Sequence, residues 1–118
     1  MAGDVIHDDG VLRIVRLMRP AGLALAGEID ESTYPALMAA LNGAAGPNSQ
    51  KEFHLDLTEL EFCDAAGLHA MIRLVDRLDD GGERGGGRVV LHAPSAALRS
   101  MLRIVGWDEL PELIVEDR

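Results

Sequence analysis

Phe53–Thr58 (FHLDLT) and Phe62–Leu68 (FCDAAGL) decide the fold class of this chain. Apolar and polar residues alternate through the first segment with a period of two, which is typical of a strand with one buried face. The second segment leads directly into residues with helical spacing. Together they predict a buried strand, a tight turn and the start of a helix, a junction at which α/β domains place working residues.

The corner at Asp64 has a shape suited to recognition. The Asp64 carboxylate precedes the helical pattern, so it can accept hydrogen bonds from the first unpaired backbone N–H groups. Its negative charge also interacts favourably with the positive end of the helix dipole. Gly67 is expected to leave the corner open to close approach by another backbone. Asp64–Gly67 contains no Ser, Thr, Tyr, Lys or Arg, so little in it can carry out chemistry.

The residues before this junction predict a hairpin and a helix. Val11–Leu17 and Leu23–Ile29 are β-rich and are separated by a segment with Pro and Gly, which marks a turn. Ser32 or Thr33 is the expected N-cap of a helix that ends at Gly46-Pro47.

The residues after the junction predict alternating helices and strands. Leu68, Met71, Ile72, Val75 and Leu78 form an apolar helical stripe. A flexible glycine connection (81–87) and a strand (88–92) then follow. Ser95 is the expected N-cap of a third helix that ends at Gly106, with Trp107 packing back on it, and a last short strand covers 113–115.

This alternation predicts an α/β fold with one domain. We expect a mainly parallel sheet of four to five strands, opened by the N-terminal hairpin, with the amphipathic helices packed mostly on one face. Residues 11–118 form the domain, and residues 1–10 are an N-terminal extension.

Composition narrows the class of partner. The chain has 118 residues, a formal net charge of −9 and a pI of about 4.7, which argues against nucleic acid or an anionic membrane and favours a basic protein surface. Cys63 is the single cysteine, so a disulfide framework and a Cys-cluster zinc site are excluded. With no secretory signal or long apolar run, a cytoplasmic location and no membrane insertion are expected.

Several candidate sites have plainer explanations. The glycine segment follows a helix and precedes a strand, the reverse of a phosphate-binding P-loop. Cys63 lies in a hydrophobic run with no basic neighbour, which favours a buried thiol over a nucleophile. The histidines show no metal-ligand spacing and are assigned structural or surface roles: His7, His54, His69 and His92. No metal or cofactor is predicted.

Asp56 has the place of a phospho-acceptor aspartate in a receiver domain. A receiver also needs an acidic pair at the end of its first strand and a lysine late in the chain. The only lysine is Lys51, and the first strand ends Arg16-Leu17-Met18. The receiver alternative is therefore disfavoured, and no enzyme is predicted.

Four segments in register resemble the STAS domain of anti-sigma-factor antagonists. They are Gly27-Glu28-Ile29-Asp30 with Thr33 and Pro35, Leu55-Asp56-Leu57, Phe62–Leu68, and Pro94-Ser95 with Leu102, Gly106 and Trp107. The resemblance runs from about Val11 to Leu110. It implies a domain with helices on one face that binds a protein, namely an anti-sigma factor that is also a serine kinase of the histidine-kinase-like ATPase type.

The resemblance also implies a phosphorylated serine directly after the motif aspartate, and here the chain departs from the family. Ala65 occupies that position and Ala66 the next one. By resemblance, the partner-binding residues are Asp30, Ser32, Thr33, Asp64, Ala65, Ala66, Gly67, Leu68 and His69. A methyl group cannot accept a phosphoryl group, so the usual off-switch is absent from its usual place.

Several roles stay open at this point. The chain could be a constitutive antagonist of an anti-sigma factor, a degenerate scaffold in a signalling assembly, or an accessory subunit of an ABC-type lipid transporter. A ligand within the domain and a homodimer are further options.

Overall fold

The computed structural model describes residues 3–44, 52–77, 79–80, 83–84 and 87–117, which form three α-helices and one six-stranded sheet beside a small two-stranded one. The strands of the large sheet are β1 (Val5–Asp8), β2 (Leu12–Met18), β3 (Ala21–Ile29), β4 (Glu52–Cys63), β7 (Arg88–His92) and β8 (Leu113–Glu116). The small sheet pairs β5 (Asp79–Asp80) with β6 (Glu83–Arg84). The helices are α1 (Tyr34–Ala44), α2 (Ala65–Ile72) and α3 (Ala96–Val105), with 3₁₀ turns at Arg73–Arg77 and Trp107–Glu109.

The large sheet is mixed and has the order β1-β2-β3-β4-β7-β8. β1, β2 and β3 pair antiparallel, whereas β3, β4, β7 and β8 pair parallel, which confirms a mainly parallel sheet opened by a hairpin. The expected count of four to five strands is wrong, because Val5–Asp8 pairs with β2 as an edge strand. Val5 and Ile6 are exposed, so this strand lacks the buried alternation by which strands are recognised.

The helices cover one face of the sheet, as expected. Leucines that share this face of β3, β4 and β7 lie in one buried cluster with helix residues such as Leu37, Leu68 and Leu102. The predicted stripe of α2 is buried at Leu68, Met71, Ile72 and Val75, and Leu78 lies outside the described residues. Most residues of the glycine connection also lie outside the described part of the chain.

α2 is shorter than its stripe predicts. The α-helix ends at Ile72, and the chain continues as a 3₁₀ turn in which Leu74 is buried beside Val75. α3 has the predicted ends. The Ser95 hydroxyl accepts from the Leu98 N–H at 3.2 Å, and Gly106 adopts a left-handed φ of 81°.

β4 is one continuous strand, so the tight turn expected before Asp64 is wrong. Relative to β3, β4 carries one extra residue between Asp56 and Glu59 and another between Leu60 and Phe62. Each bulge resets the alternation of buried and exposed residues, which is why the period of two fades after Leu57. The strand therefore delivers its end directly to the N-terminus of α2.

Candidate functional site

The carboxyl ends of β3 and β4 bring two acidic loops together. Ile29 and Cys63 are partners in the parallel register, and the Asp64 N–H donates to the Ile29 carbonyl at 3.0 Å. Asp30 and Asp64 each follow directly on these paired residues. The segment before α1 and the first turn of α2 therefore form one corner of the domain.

Asp64 caps α2 as predicted. Its backbone is extended (φ −80°, ψ 174°), and Oδ1 accepts from the Gly67 N–H at 2.8 Å. The Leu68 N–H donates to the Asp64 carbonyl at 3.1 Å. The carboxylate is thus held against the positive end of the helix.

Gly67 serves the packing of α2 and not the approach of another backbone. It is buried, and a Cβ there would lie 2.4 Å from Ile29 Cγ2 and 3.1 Å from Cys63 Sγ. The expectation that this glycine opens the corner is wrong, because the side chain of Ile29 already fills the space. Its missing side chain lets α2 begin directly above the end of β3.

The segment before α1 is ordered by Asp30. Its Oδ1 accepts from the Ser32 hydroxyl at 2.7 Å and from the N–H groups of Ser32 and Thr33 at 2.9 and 3.2 Å. The hydroxyl bond of Ser32, followed by the backbone bonds, lowers the pKa of Asp30 from its ordinary value. Thr33 is no simple N-cap: its hydroxyl donates to the Glu28 carbonyl and accepts from the Asp30 N–H, both at 2.9 Å.

The nine expected partner-binding residues divide by exposure. Ser32, Ala65, Ala66 and His69 are exposed, and Asp30 and Asp64 are half-buried. We call these six residues the corner surface. Thr33, Gly67 and Leu68 are buried, so they support the corner surface from beneath and do not offer atoms to a docking partner.

Two aromatic residues, Phe62 and Trp107, lie near the corner surface, although neither is among the nine expected partner-binding residues. Phe62 is 52% exposed on β4, opposite Glu28 and two residues before Asp64. The His69 ring lies 5.5 Å from the ring of Trp107, which follows α3. Phe62 could have been noticed as a large apolar residue outside the alternation, whereas only the tertiary structure places Trp107 beside His69.

The chemistry available here is limited. Burial, and then the charge of Asp64, raise the pKa of Cys63 to about 12, so the thiol stays protonated. No group of three or more His, Cys, Asp or Glu side chains arranged to hold a metal occurs within the described ranges. In the same residues, no helix is long and apolar enough to cross a membrane.

Cys63 is expected to resist alkylation while the chain is folded, because a buried, protonated thiol is a poor nucleophile. Iodoacetamide at pH 8, followed by intact mass, should leave the native protein unmodified. The same chain unfolded in urea should be labelled completely over the same time. Equal labelling in both conditions would show that the thiol is accessible in the folded state.

The comparisons with known proteins agree with this fold. The model of the family described as "Mlab, STAS domain" matches residues 13–116. An anti-sigma factor antagonist from Mycobacterium paratuberculosis is 25% identical, with 97% of this chain and 84% of that chain covered and a TM-score of 0.63. No curated protein matches the chain significantly.

Two further solved structures share the fold at lower identity. SpoIIAA in its unphosphorylated form is 17% identical over 88% of this chain and 87% of that one, with a TM-score of 0.60. The Bacillus cell fate determinant SpoIIAA in its phosphorylated form is 18% identical over 89% and 90%, with a TM-score of 0.61. The fold described above is therefore one that known proteins adopt.

Proposed function

The chain belongs to the STAS domain family, and we propose that it is a non-catalytic, cytoplasmic docking module that binds its partner through the corner surface in a permanently unphosphorylated state. Ala65 and Ala66, exposed beside Asp64, are the observation that carries the proposal. The proposed partner is an anti-sigma factor that is also a serine kinase of the histidine-kinase-like ATPase type.

The absence of a phosphorylation switch at this place follows from the chemistry of these two alanines. SpoIIAA has a phosphorylated form. By resemblance to the family, we take Ala65 to occupy the position of the acceptor serine. A phosphate there would add about −1.5 to −2 charges next to the Asp64 carboxylate, which a docking partner would have to desolvate. A methyl group offers a small neutral surface that no kinase can charge.

The charge of the corner surface supports a basic partner. Asp30 and Asp64 lie side by side at the ends of neighbouring strands, and the whole chain carries a net charge of −9. Complementary positive charge on a partner would speed association and orient it. Exposed Phe62 adds an apolar contact at the edge of the same surface.

Capture of the partner from the native cell tests this proposal. Wild type and Ala65→Asp serve as baits, and Ala96→Asp is a matched control because Ala96 is likewise the exposed first residue of a helix, α3. We expect a histidine-kinase-like ATPase to be recovered by wild type and Ala96→Asp and lost with Ala65→Asp. Recovery of an ABC transporter ATPase would assign the accessory role instead, and equal recovery by all three baits would place docking elsewhere.

The chain is not expected to be phosphorylated at the family site. After incubation with the cognate kinase and ATP, the intact mass of the wild-type chain should be unchanged. Ala65→Ser restores an acceptor hydroxyl at the first position of α2, and we expect it to gain one phosphate. A phosphate on wild type that maps to Ser32, Thr58 or Ser95 would show that the switch has moved, and the constitutive state would be refuted.

A further inference from the structure

Two adjacent apolar residues at the C-terminal end of α3 are exposed. Ile104 is 83% exposed and Val105 is 49% exposed, whereas Leu98 and Leu102 form the buried side of the helix. Both exposed residues are β-branched, a class of side chain that slightly disfavours a helix. Neither core packing nor helix propensity therefore accounts for Ile104.

These two residues belong to a larger apolar patch. Met101 lies three and four residues before them, so the three side chains share one face of the helix. Met101 and Trp107 are half-buried and pack against the core. We call Met101, Ile104, Val105 and Trp107 the α3 patch. A contiguous exposed patch is typical of an interaction site, whereas apolar residues scattered singly on a surface need no explanation.

The α3 patch is continuous with the corner surface. The Trp107 ring lies 5.5 Å from the ring of His69, which belongs to the corner surface. On the other side of α3, Arg99 donates to Asp117, just after the edge strand β8, at 2.6 Å. Met101 lies about 200° round the helix from Arg99, and therefore on the side of α3 that is turned toward α2.

The corner surface alone is too small for a stable interface. It has six residues, two of them alanines, whereas a specific interface uses about 20–30 residues on each side. Binding energy is also concentrated in a few well-packed side chains, aromatic ones above all. The α3 patch supplies Trp107 and two branched apolar side chains directly beside the corner surface.

The charges around the α3 patch favour a basic occupant. Asp108 and Glu109 are exposed directly after Trp107, and the last turn of α3 carries the negative end of the helix dipole. Arg103, exposed one residue before Ile104, offsets only one of these charges. A second copy of this chain would bring the same acidic groups and a net charge of −9, which disfavours self-association here.

We propose that the α3 patch is the apolar half of the partner interface, and that it receives an amphipathic helix of the partner whose apolar stripe is flanked by Lys and Arg. The corner surface is the other half, so this inference rests on the proposed function. Met101, Ile104 and Val105 form a ridge at i, i+3 and i+4, a spacing that interdigitates with the side chains of a second helix. Addition of a strand would instead need an open sheet edge, whereas this patch lies on a helix.

Fluorescence of Trp107 tests the α3 patch without a label, because Trp107 is the only tryptophan of the chain. The probe is a synthetic, tryptophan-free peptide of about four helical turns, with Leu at helical spacing and Lys elsewhere. We expect it to bind wild type and to change the emission of Trp107. Two matched peptides, one with Glu in place of Lys and one with the same residues in scrambled order, should not bind. No binding of the probe, or equal binding of the scrambled peptide, would overturn the proposal.

Ile104→Gln should weaken binding of the probe roughly tenfold in Kd, because burial of the isoleucine side chain is lost. Met18→Gln is the matched control, since Met18 is 69% exposed on β2, and it should bind like wild type. Equal melting temperatures of both variants and wild type check the fold. Unchanged binding of Ile104→Gln would overturn the proposal, as would a wild-type dimer in sedimentation equilibrium that Ile104→Gln dissociates, which would assign the patch to a second copy.

The protein recovered by the wild-type bait, once purified, separates this inference from the proposed function. We expect Ile104→Gln and Ala65→Asp each to weaken its binding. A loss with Ala65→Asp but not with Ile104→Gln would leave the proposed function standing and refute the α3 patch. A loss with Ile104→Gln alone would support the α3 patch and refute docking at the corner surface.

Discussion

Ala65→Asp is expected to weaken binding of the partner by about 1–3 kcal/mol, or roughly 5- to 150-fold in Kd. The side chain of residue 65 is exposed beside the Asp64 carboxylate, so the new charge repels its neighbour and has to be desolvated when a partner docks. The measurement is a titration of each variant against the purified partner by calorimetry or fluorescence.

The fold should tolerate this change, because an acidic side chain in the first turn of a helix is compatible with the helix dipole. Equal melting temperatures of Ala65→Asp and wild type check this. Ala96→Asp places the same charge at the first position of α3 and should bind like wild type. Ala65→Ser should also bind like wild type, because a single hydroxyl is easily solvated. Undiminished affinity of Ala65→Asp would mean that the partner docks on another surface.

Gly67→Ala is expected to lower the free energy of unfolding by about 1–3 kcal/mol, the usual cost of overpacking a core. The added Cβ would lie 2.4 Å from Ile29 Cγ2, a branch of a side chain that is stiff at its first torsion. Relief would require α2 to move away from the end of β3. This cost exceeds the gain of about 0.5–1 kcal/mol that alanine normally brings to a helix.

Urea unfolding of the two glycine variants separates these effects. Gly43 lies in α1 with nothing within 4 Å of a Cβ, so Gly43→Ala should stabilise the chain by about 0.5–1 kcal/mol. Combining Gly67→Ala with Ile29→Ala should cost less than the sum of the two single changes, because Ile29→Ala removes the clashing atom. Strict additivity, or a stabilised Gly67→Ala, would contradict the packing assigned to this glycine.

Much of the corner surface was predictable because its determinants are local in sequence. The Asp64 cap needs only a carboxylate before a helical pattern, and the bond from the Gly67 N–H follows from it. Asp30 was named only through the family resemblance, because the sequence predicted Ser32 or Thr33 as the N-cap of α1. The burial of Thr33 and the role of Gly67 could not, because each depends on the end of β3 lying against the start of a helix.

Local sequence patterns predict the α/β class, the alternation of strands and helices, the buried stripe of α2 and the ends of α3. These features are encoded in periods of 2 and 3.6 residues and in caps at fixed offsets, which are visible within a short window.

Which residues meet across the sheet is visible only in the tertiary structure. It placed Val5–Asp8 on an edge, put two bulges into β4, brought His54 to His92, and set His69 against Trp107. These contacts depend on strand register and on packing between distant segments. A shift of one residue in register would send every side chain of a strand to the other face. The alternation within a strand predicts which of its faces is buried, but it does not identify the residue that lies opposite on the neighbouring strand.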